Sequence, residues 1–394
     1  LFLGKILERL GIPVHVDNVQ AQDVMKGQPL FNIDTCAPNI GAAGQFLRLA
    51  EEPHGMILVP QIDFLPIEGE SIGRTCTTNQ GGMLVAQHFA ANQYPEARFH
   101  LFTVNLSETE PQKIADQLYH EWQSLFEFYG VDISRSELAE AITCAAQEDA
   151  AVKTATADMT ADFIEEAIDK QLNISIVCAR EYILNPGIYD SHIGKLLKDK
   201  DVVALPSYVF DTDPDPQFDH IYWRNPHDIM TKAGAISDKR FHAIIRHPRL
   251  RSLIARIETG GTDSLISLVT VSTFRCGPDS TTLPVLSEIT RNIPSLFIQS
   301  DAMIAELAHL ENRVNTHLNQ LRQRLHNELA GNNGADFSIE VMDEFSLDGL
   351  HKDTDVICFP TMNDNRTVAS VFRAAGYTVI DNFDDDTFDL EERA

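Results

Sequence analysis

Cysteine is scarce in this sequence: six in 394 residues, with no C-x-x-C pair among them. That excludes a disulfide-built secreted scaffold and the short-spaced zinc and redox motifs. Basic residues are scarce too, 31 against 58 acidic ones, for a net charge of −27. That argues against a nucleic-acid backbone or an anionic membrane surface as partner, although not against a local basic pocket for a small anion. No apolar run reaches the roughly 20 residues that cross a bilayer. H-E-x-x-H, G-x-S-x-G and G-x-x-x-x-G-K-[ST] are all missing, so the corresponding metalloprotease, hydrolase and phosphate-loop motifs do not guide the reading. The sequence opens on Leu1, with no signal-peptide pattern in its first residues. The chain opens in an amphipathic helical pattern, L-F-L-G-K-I-L-E-R-L-G, and a cut through a larger protein is expected. A reducing cytoplasm, with thiols as ligands or core residues, is the expected setting.

What is present is an alternation of helix and strand in a chain that is 43% hydrophobic. It predicts an α/β fold: two Rossmann- or flavodoxin-like lobes with mostly parallel sheets, and the start of a third. The first lobe is expected over 1–168. Its helix Leu1–Leu10 stops at Gly11, and I-P-V-H-V, G-M-I-L-V-P and R-F-H-L-F-T-V read as strands. Helices follow over Pro111–Tyr129 and from Ser134, where S-R-S-E has capping-box spacing and Leu138, Ile142 and Ala146 share a face. The second lobe, 169–332, takes I-S-I-V-C-A, D-V-V-A-L-P, S-L-I-S-L-V-T-V and P-S-L-F-I-Q-S-D as strands. It ends in a long helix, about Ala302–Ala330, packed on its own sheet. A third unit, 333–394, is expected to be truncated, with D-V-I-C-F-P as strand. Its F-R-A-A-G-Y-T-V-I repeats the helix end, glycine and strand of L-E-R-L-G-I-P-V-H-V. Its acidic tail reads as a solvated loop.

Three cysteines share one grammar. Cys36 lies in D-T-C-A-P-N-I-G-A-A-G-Q, Cys76 in R-T-C-T-T-N-Q-G-G-M and Cys276 in F-R-C-G-P-D-S-T-T-L-P. Each follows an extended or looping segment and precedes small, Pro or Gly residues and then a helical pattern. That puts a sulfur near a helix N-terminus, where free N–H groups and the dipole favour a thiolate. Thiolates are the ligands of iron–sulfur clusters; turn or core cysteines without a partner are the plainer alternative. S-T-T after Cys276 offers candidate N-caps. Cys144 in mid-helix and Cys178 and Cys358 at strand ends read as core. D-T-D-P-D-P (Asp211–Pro216) reads as an acidic loop rather than a calcium site, and His242 and His247 as helix surface rather than ligands.

These motifs together resemble the activase-related proteins of the 2-hydroxyacyl-CoA dehydratase system, a family that includes dehydratase cluster subunits and double-cubane cluster proteins. F-R-C-G-P-D-S is similar to the family's phenylalanine-glycine-cysteine-glycine-proline-aspartate segment. C-A-P-N-I-G-A-A-G-Q resembles its first cysteine motif, and V-P-Q-I-D-F-L-P followed by C-T-T-N-Q-G its second. A-R-E-Y-I-L-N-P-G-I-Y-D resembles its glycine-arginine-proline-tyrosine segment, and the end of the chain resembles the head of the next domain in long fused members. The sequence departs from the pattern at Asn39 and Ile40, where lysine is usual, at Thr77, usually proline, and at Cys178, usually glycine. The resemblance implies that Cys36, Cys76 and Cys276 hold an iron–sulfur cluster, a [4Fe-4S] cubane or double cubane. It implies an electron-transfer or reductive component acting on an acyl-CoA or other small molecule. An ATP-dependent activator module, in cis or in trans, would supply low-potential electrons, and a homodimer is compatible with it. A non-enzymatic α/β scaffold or binding module without a cluster is the competing class. A kinase-like ATPase within this segment is disfavoured by the missing phosphate loop.

Overall fold

The computed structural model describes residues 2–31, 35–51, 55–65, 73–106, 110–184, 193–260, 264–273, 275–291, 293–300, 307–329, 351–359 and 366–381. Several expectations lie outside these: the start of the long helix at 302–306, Asn185–Asp190 of the arginine-containing motif, Phe274, the beginning of the third unit at Phe337 and the acidic tail beyond Asp381. The chain forms two compact units, Leu1–Asn332 and Asn333–Ala394.

The first unit opens with α1 (Phe2–Arg9), stopped by Gly11 at φ 79°, a left-handed position that suits glycine. Helices α2 (Ala21–Gly27) and α3 (Ala37–Glu51) follow, then β1 (Ile57–Phe64), α4 (Thr77–Gln93) and β2 (Phe99–Asn105). β1 and β2 pair in parallel, Ile57 opposite Phe99. I-P-V-H-V is not a strand. Residues 12–20 carry no regular structure; Ile12 is buried but Val16 is more than half exposed, and Pro13 has no N–H to give a ladder. Next come α5 (Pro111–Glu121), α6 (Gln123–Tyr129) and α7 (Arg135–Asp169). α5 and α6 break at Trp122, which is fully buried and meets Phe102 edge-on. α7 starts in the capping box expected of S-R-S-E: the Ser134 side chain accepts from the Glu137 backbone, and the Glu137 carboxylate accepts from Ser134 N at 2.8 Å.

A second sheet follows: β3 (Asn173–Cys178), α8 (Glu181–Leu184), α9 (Ile193–Lys198), β4 (Val202–Pro206), α10 (Arg224–Ser237), α11 (Phe241–Ile244), α12 (Pro248–Glu258), β5 (Ile266–Thr273), α13 (Gly277–Ile289), β6 (Ser295–Ser300) and α14 (Leu307–Leu329). Its order is β4-β3-β5-β6, parallel throughout. The chain leaves β3 to one side for β4 and crosses to the other for β5. β3 and β5 thus flank a topological switch point, whose carboxyl-end crevice is where open α/β sheets bind ligands. α14 buries Leu310, Val314, Leu318 and Leu321 in the same cluster as Val269 and Ile298, so it packs on its own sheet.

α7 belongs to both lobes. Leu138, Ala141, Ile142 and Ala145 enter the first core, and Ala157, Ala161, Ile164, Ala167 and Ile168 the second. Ala150 to Ala155 between them are exposed. The buried face runs through Ala145, which leaves Ala146 exposed and Cys144 half-buried rather than core. Cys178 is fully buried.

The other loop expectations resolve into ion pairs. Asp213 accepts from Arg246 Nε at 2.7 Å and Asp215 from Arg240 Nη2 at 2.6 Å, so the acidic loop is bound by arginines. His242 Nδ1 lies 2.5 Å from Glu258 Oε2, and His247 caps α12 by accepting from Leu250 N. Among its described residues the second unit shows one βαβ element, β7 (Val356–Phe359), α15 (Arg366–Ala374) and β8 (Thr378–Asp381), with Gly376 at φ 91° after the helix. No described helix is long and apolar enough to cross a membrane.

Candidate functional site

Three helices of the first unit begin at a cysteine. The Cys36 carbonyl accepts from Ile40 N at 3.3 Å, that of Cys76 from Gln80 N at 3.0 Å and that of Cys276 from Ser280 N at 2.9 Å. Each is the first intrahelical bond of its helix, α3, α4 and α13 respectively. Each thiol therefore sits beside the first N–H groups of a helix N-terminus, in a positive local field. Ser280, Thr281 and Thr282 are not the caps of α13. They lie inside its first turns and bond back to the carbonyls of Cys276, Gly277 and Pro278.

Cys36 and Cys76 line one pocket of about 230 Å³, together with Asn39, Arg74, Arg180, Trp223, Arg224 and Pro278. Cys276 does not itself line it. It is 6% exposed, its Sγ accepts from Arg180 Nη2 at 3.1 Å, and Pro278 is two residues on. The pocket lies at the carboxyl ends of both sheets: Leu65 follows β1, Arg180 follows β3, and Pro278 lies just beyond β5. Backbone bonds tie its two sides. Arg74 N donates to Tyr222 O and Arg224 N to Arg74 O, both at 2.9 Å. Thr75 Oγ1 donates to Ile62 O at 2.6 Å, and Gln80 Nε2 to Thr75 O at 3.2 Å, fixing the Cys76 turn against β1.

The turn into Cys276 is sharp. Arg275 has φ 65°, a left-handed conformation uncommon for a residue with a side chain. Such backbone marks a place where surrounding structure dictates geometry. Around α3 the packing is equally tight. A Cβ on Gly82 of α4 would stand 2.2 Å from Asn39 Oδ1, and that oxygen has no hydrogen-bond partner among the described residues. Trp223 Nε1 on the pocket wall likewise has none.

Burial pushes the Cys36 thiol up, opposed by the Asn39 N–H and by Arg180. Burial pushes Cys276 up to about 12, again opposed by Arg180. Alone, both are protonated at neutral pH. Helix termini and one guanidinium do not offset the desolvation, and a coordinated cation would, since a metal deprotonates its thiols outright. Among the described residues no three Cys, His, Asp or Glu side chains stand as a ligand set for a metal ion. A single ion with bonds near 2.3 Å draws its sulfurs to roughly 3.8 Å, whereas a cubane spreads them to roughly 6–7 Å. A thiol donor set with N–H donors and a buried arginine around one pocket fits the larger group in chemistry.

Reasoning from the sequence singled out the thiols and not the groups that attend them. Arg180 and Cys276 are 96 residues apart, and Arg180 stood only as one letter of a motif. Arg74, Trp223 and Arg224 carried no local signal at all.

Residues 1–209, just over half of the chain, match the family model described as CoA enzyme activase uncharacterised domain (DUF2229). A comparison with curated proteins finds no match.

Proposed function

The chain belongs to the CoA enzyme activase family, and we propose that it is the family's iron–sulfur, electron-transfer or reductive component. In this reading Cys36, Cys76 and Cys276 hold a [4Fe-4S] or double-cubane cluster. The observation that carries it is the gathering of three helix-capping cysteines, distant in sequence, about one pocket: two line it and the third is bonded to Arg180, which does. A bound cluster supplies one-electron chemistry at low potential, with electrons from an ATP-dependent activator module in cis or in trans. The chain's own residues bind and shield. The α3, α4 and α13 N-termini favour thiolate charge, the Asn39 backbone N–H faces the Cys36 sulfur, and Trp223 Nε1, without a partner on the pocket wall, would be available as a donor to a cluster sulfur. The pocket is below the usual ~300–1,000 Å³ of a site that engulfs a drug-sized ligand. It would admit the reacting end of an acyl-CoA, or a comparably small molecule, and not the whole cofactor.

Iron and sulfide analysis with EPR on anaerobically purified or reconstituted protein tests this. Cys276→Ser exchanges a soft thiolate for a hard hydroxyl that binds clusters badly. It is expected to lower bound iron and sulfide sharply with little change in far-ultraviolet circular dichroism. Cys144→Ser, on half-buried α7 surface, is expected to leave iron unchanged. Equal retained iron in the two variants would reduce Cys276 to a turn residue and overturn the three-cysteine cluster, and no iron in the wild type would leave an α/β scaffold without one.

A further inference from the structure

Arg180 is buried, 9% exposed, and so is Asp279, at 8%. Its Nη2 donates at once to Cys276 Sγ, at 3.1 Å, and to Asp279 Oδ1, at 2.8 Å. The other carboxylate oxygen, Asp279 Oδ2, accepts from Ser272 Oγ at 2.6 Å, and Ser272 is itself 2% exposed. A chain of hydrogen bonds thus links the end of β5 (Ser272), the first turn of α13 (Asp279, which accepts from both sides) and the residue after the β3 crevice (Arg180), and ends on a sulfur.

A buried ion pair is a poor way to stabilise a fold, because desolvation consumes most of the attraction. This pair does something a stability device need not do. It holds a planar, permanently charged guanidinium in one orientation, at the switch point, on the lining of the pocket, with an N–H directed at one of three thiols. Asp279 lies at the helix N-terminus, where its charge is also favoured, so the anchor is fixed independently of the arginine.

We propose that Arg180 is a positioning residue that aims and electrostatically loads Cys276, and that the Ser272–Asp279 pair sets its orientation. This rests on the cluster reading above. A thiolate on iron gains negative charge on reduction, so a fixed N–H donor and guanidinium favour the reduced state and raise the potential. They also slow loss of the ligand.

The test uses the full chain reconstituted without oxygen: wild type, Arg180→Gln, Arg180→Lys and Ser272→Ala. Two quantities are read, the reduction potential by EPR-monitored titration and the half-time of iron release to a chelator. Loss of one charge-assisted hydrogen bond is worth about tenfold or more. Arg180→Gln is expected to release iron about tenfold faster and to shift the potential downwards; a tenfold redox preference corresponds to about 59 mV for one electron. Arg180→Lys keeps the charge and loses the fork, so it falls between. Ser272→Ala shifts both readouts in the same direction by less. If Arg180→Gln loads iron and matches wild type in both, the proposal is overturned while the cluster reading stands. If Arg180→Gln does not fold, Arg180→Lys and Ser272→Ala decide, and their identity with wild type overturns it. If wild type itself takes up no cluster, both fall together.

Discussion

Replacing Gly44 with alanine is expected to be among the most damaging single-methyl changes in the first unit. A Cβ built there would stand 1.7 Å from the Asp23 carbonyl oxygen, 2.5 Å from its carbon and 2.9 Å from its Cα. Real Cβ atoms keep at least 3.0 Å, so α2 must retreat by more than 1.3 Å, the difference between 3.0 and 1.7 Å. The obstruction is backbone, which cannot swing aside as a side chain can. Moving α2 also disturbs Asp23, whose buried carboxylate accepts from Arg48 Nε at 2.7 Å and Gln20 N at 2.7 Å. Overpacking of this kind costs about 1–3 kcal/mol, and breaking a buried ion pair about 3–5 kcal/mol. Against these stands the helix propensity of alanine over glycine, about 1 kcal/mol. The net expectation is a loss of roughly 3–7 kcal/mol, nearer the lower end if the Asp23–Arg48 pair moves with α2. Gly81→Ala is the control: it is helical and exposed, and a Cβ there meets nothing within 4 Å. It is expected to gain up to about 1 kcal/mol. Equilibrium urea unfolding followed by circular dichroism compares the two. Gly44→Ala within about 1 kcal/mol of Gly81→Ala would refute the close α2–α3 crossing that seats Cys36, since the two variants differ only in what the methyl meets.

Two further outcomes are expected. Burial holds His317 near pH 4, at 1% exposure on α14, against about 6.5 for the unfolded chain, so its stabilisation is full above about 6.5 and is lost as pH falls towards 4. That is worth roughly 3 kcal/mol over the interval; denaturation between pH 7 and 4 should show the slope, and His317→Leu, if slope remains unchanged, removes this explanation. At Arg275, with φ 65°, Val is expected to be about 1–2 kcal/mol less stable than Gly, because a branched side chain tolerates the left-handed region worst. Equal melting of Arg275→Val and Arg275→Gly would mean that the turn into Cys276 is not left-handed in solution.

Where a signal is local, the sequence was legible. Small, Gly and Pro residues after Cys36, Cys76 and Cys276 mark helix starts because the backbone of a first turn needs them nearby. S-R-S-E is a capping box because both its partners lie within four residues. The β-branched runs of the second lobe are strands because both faces of that sheet are covered. Where the outcome depends on distant partners, it was not legible. I-P-V-H-V has strand composition but no neighbouring strand to pair with among the described residues, and without a ladder it stays irregular. Cys144 has the neighbours of a core residue and misses the buried face by one position, a 100° rotation that composition does not resolve. The bond from Arg180 to Cys276 depends on the order β4-β3-β5-β6 placing two strand ends side by side, and no short pattern encodes sheet order.

α7 has a mechanical consequence. Thirty-five residues make a rod of about 52 Å, clamped at one end in each core and bare in the middle. A rod held this way acts as a lever whose fulcrum is its unsupported span. A bend of about 10° there sweeps either end through roughly 4–5 Å, taking a half-length of about 26 Å as the arm. The backbone strap of Arg74 with Tyr222 and Arg224 resists that motion at the pocket. Stiffness in the exposed stretch Ala150–Ala155, far from any thiol in sequence, is thus converted into constancy of the distance between Cys76 on one lobe and Arg180 on the other.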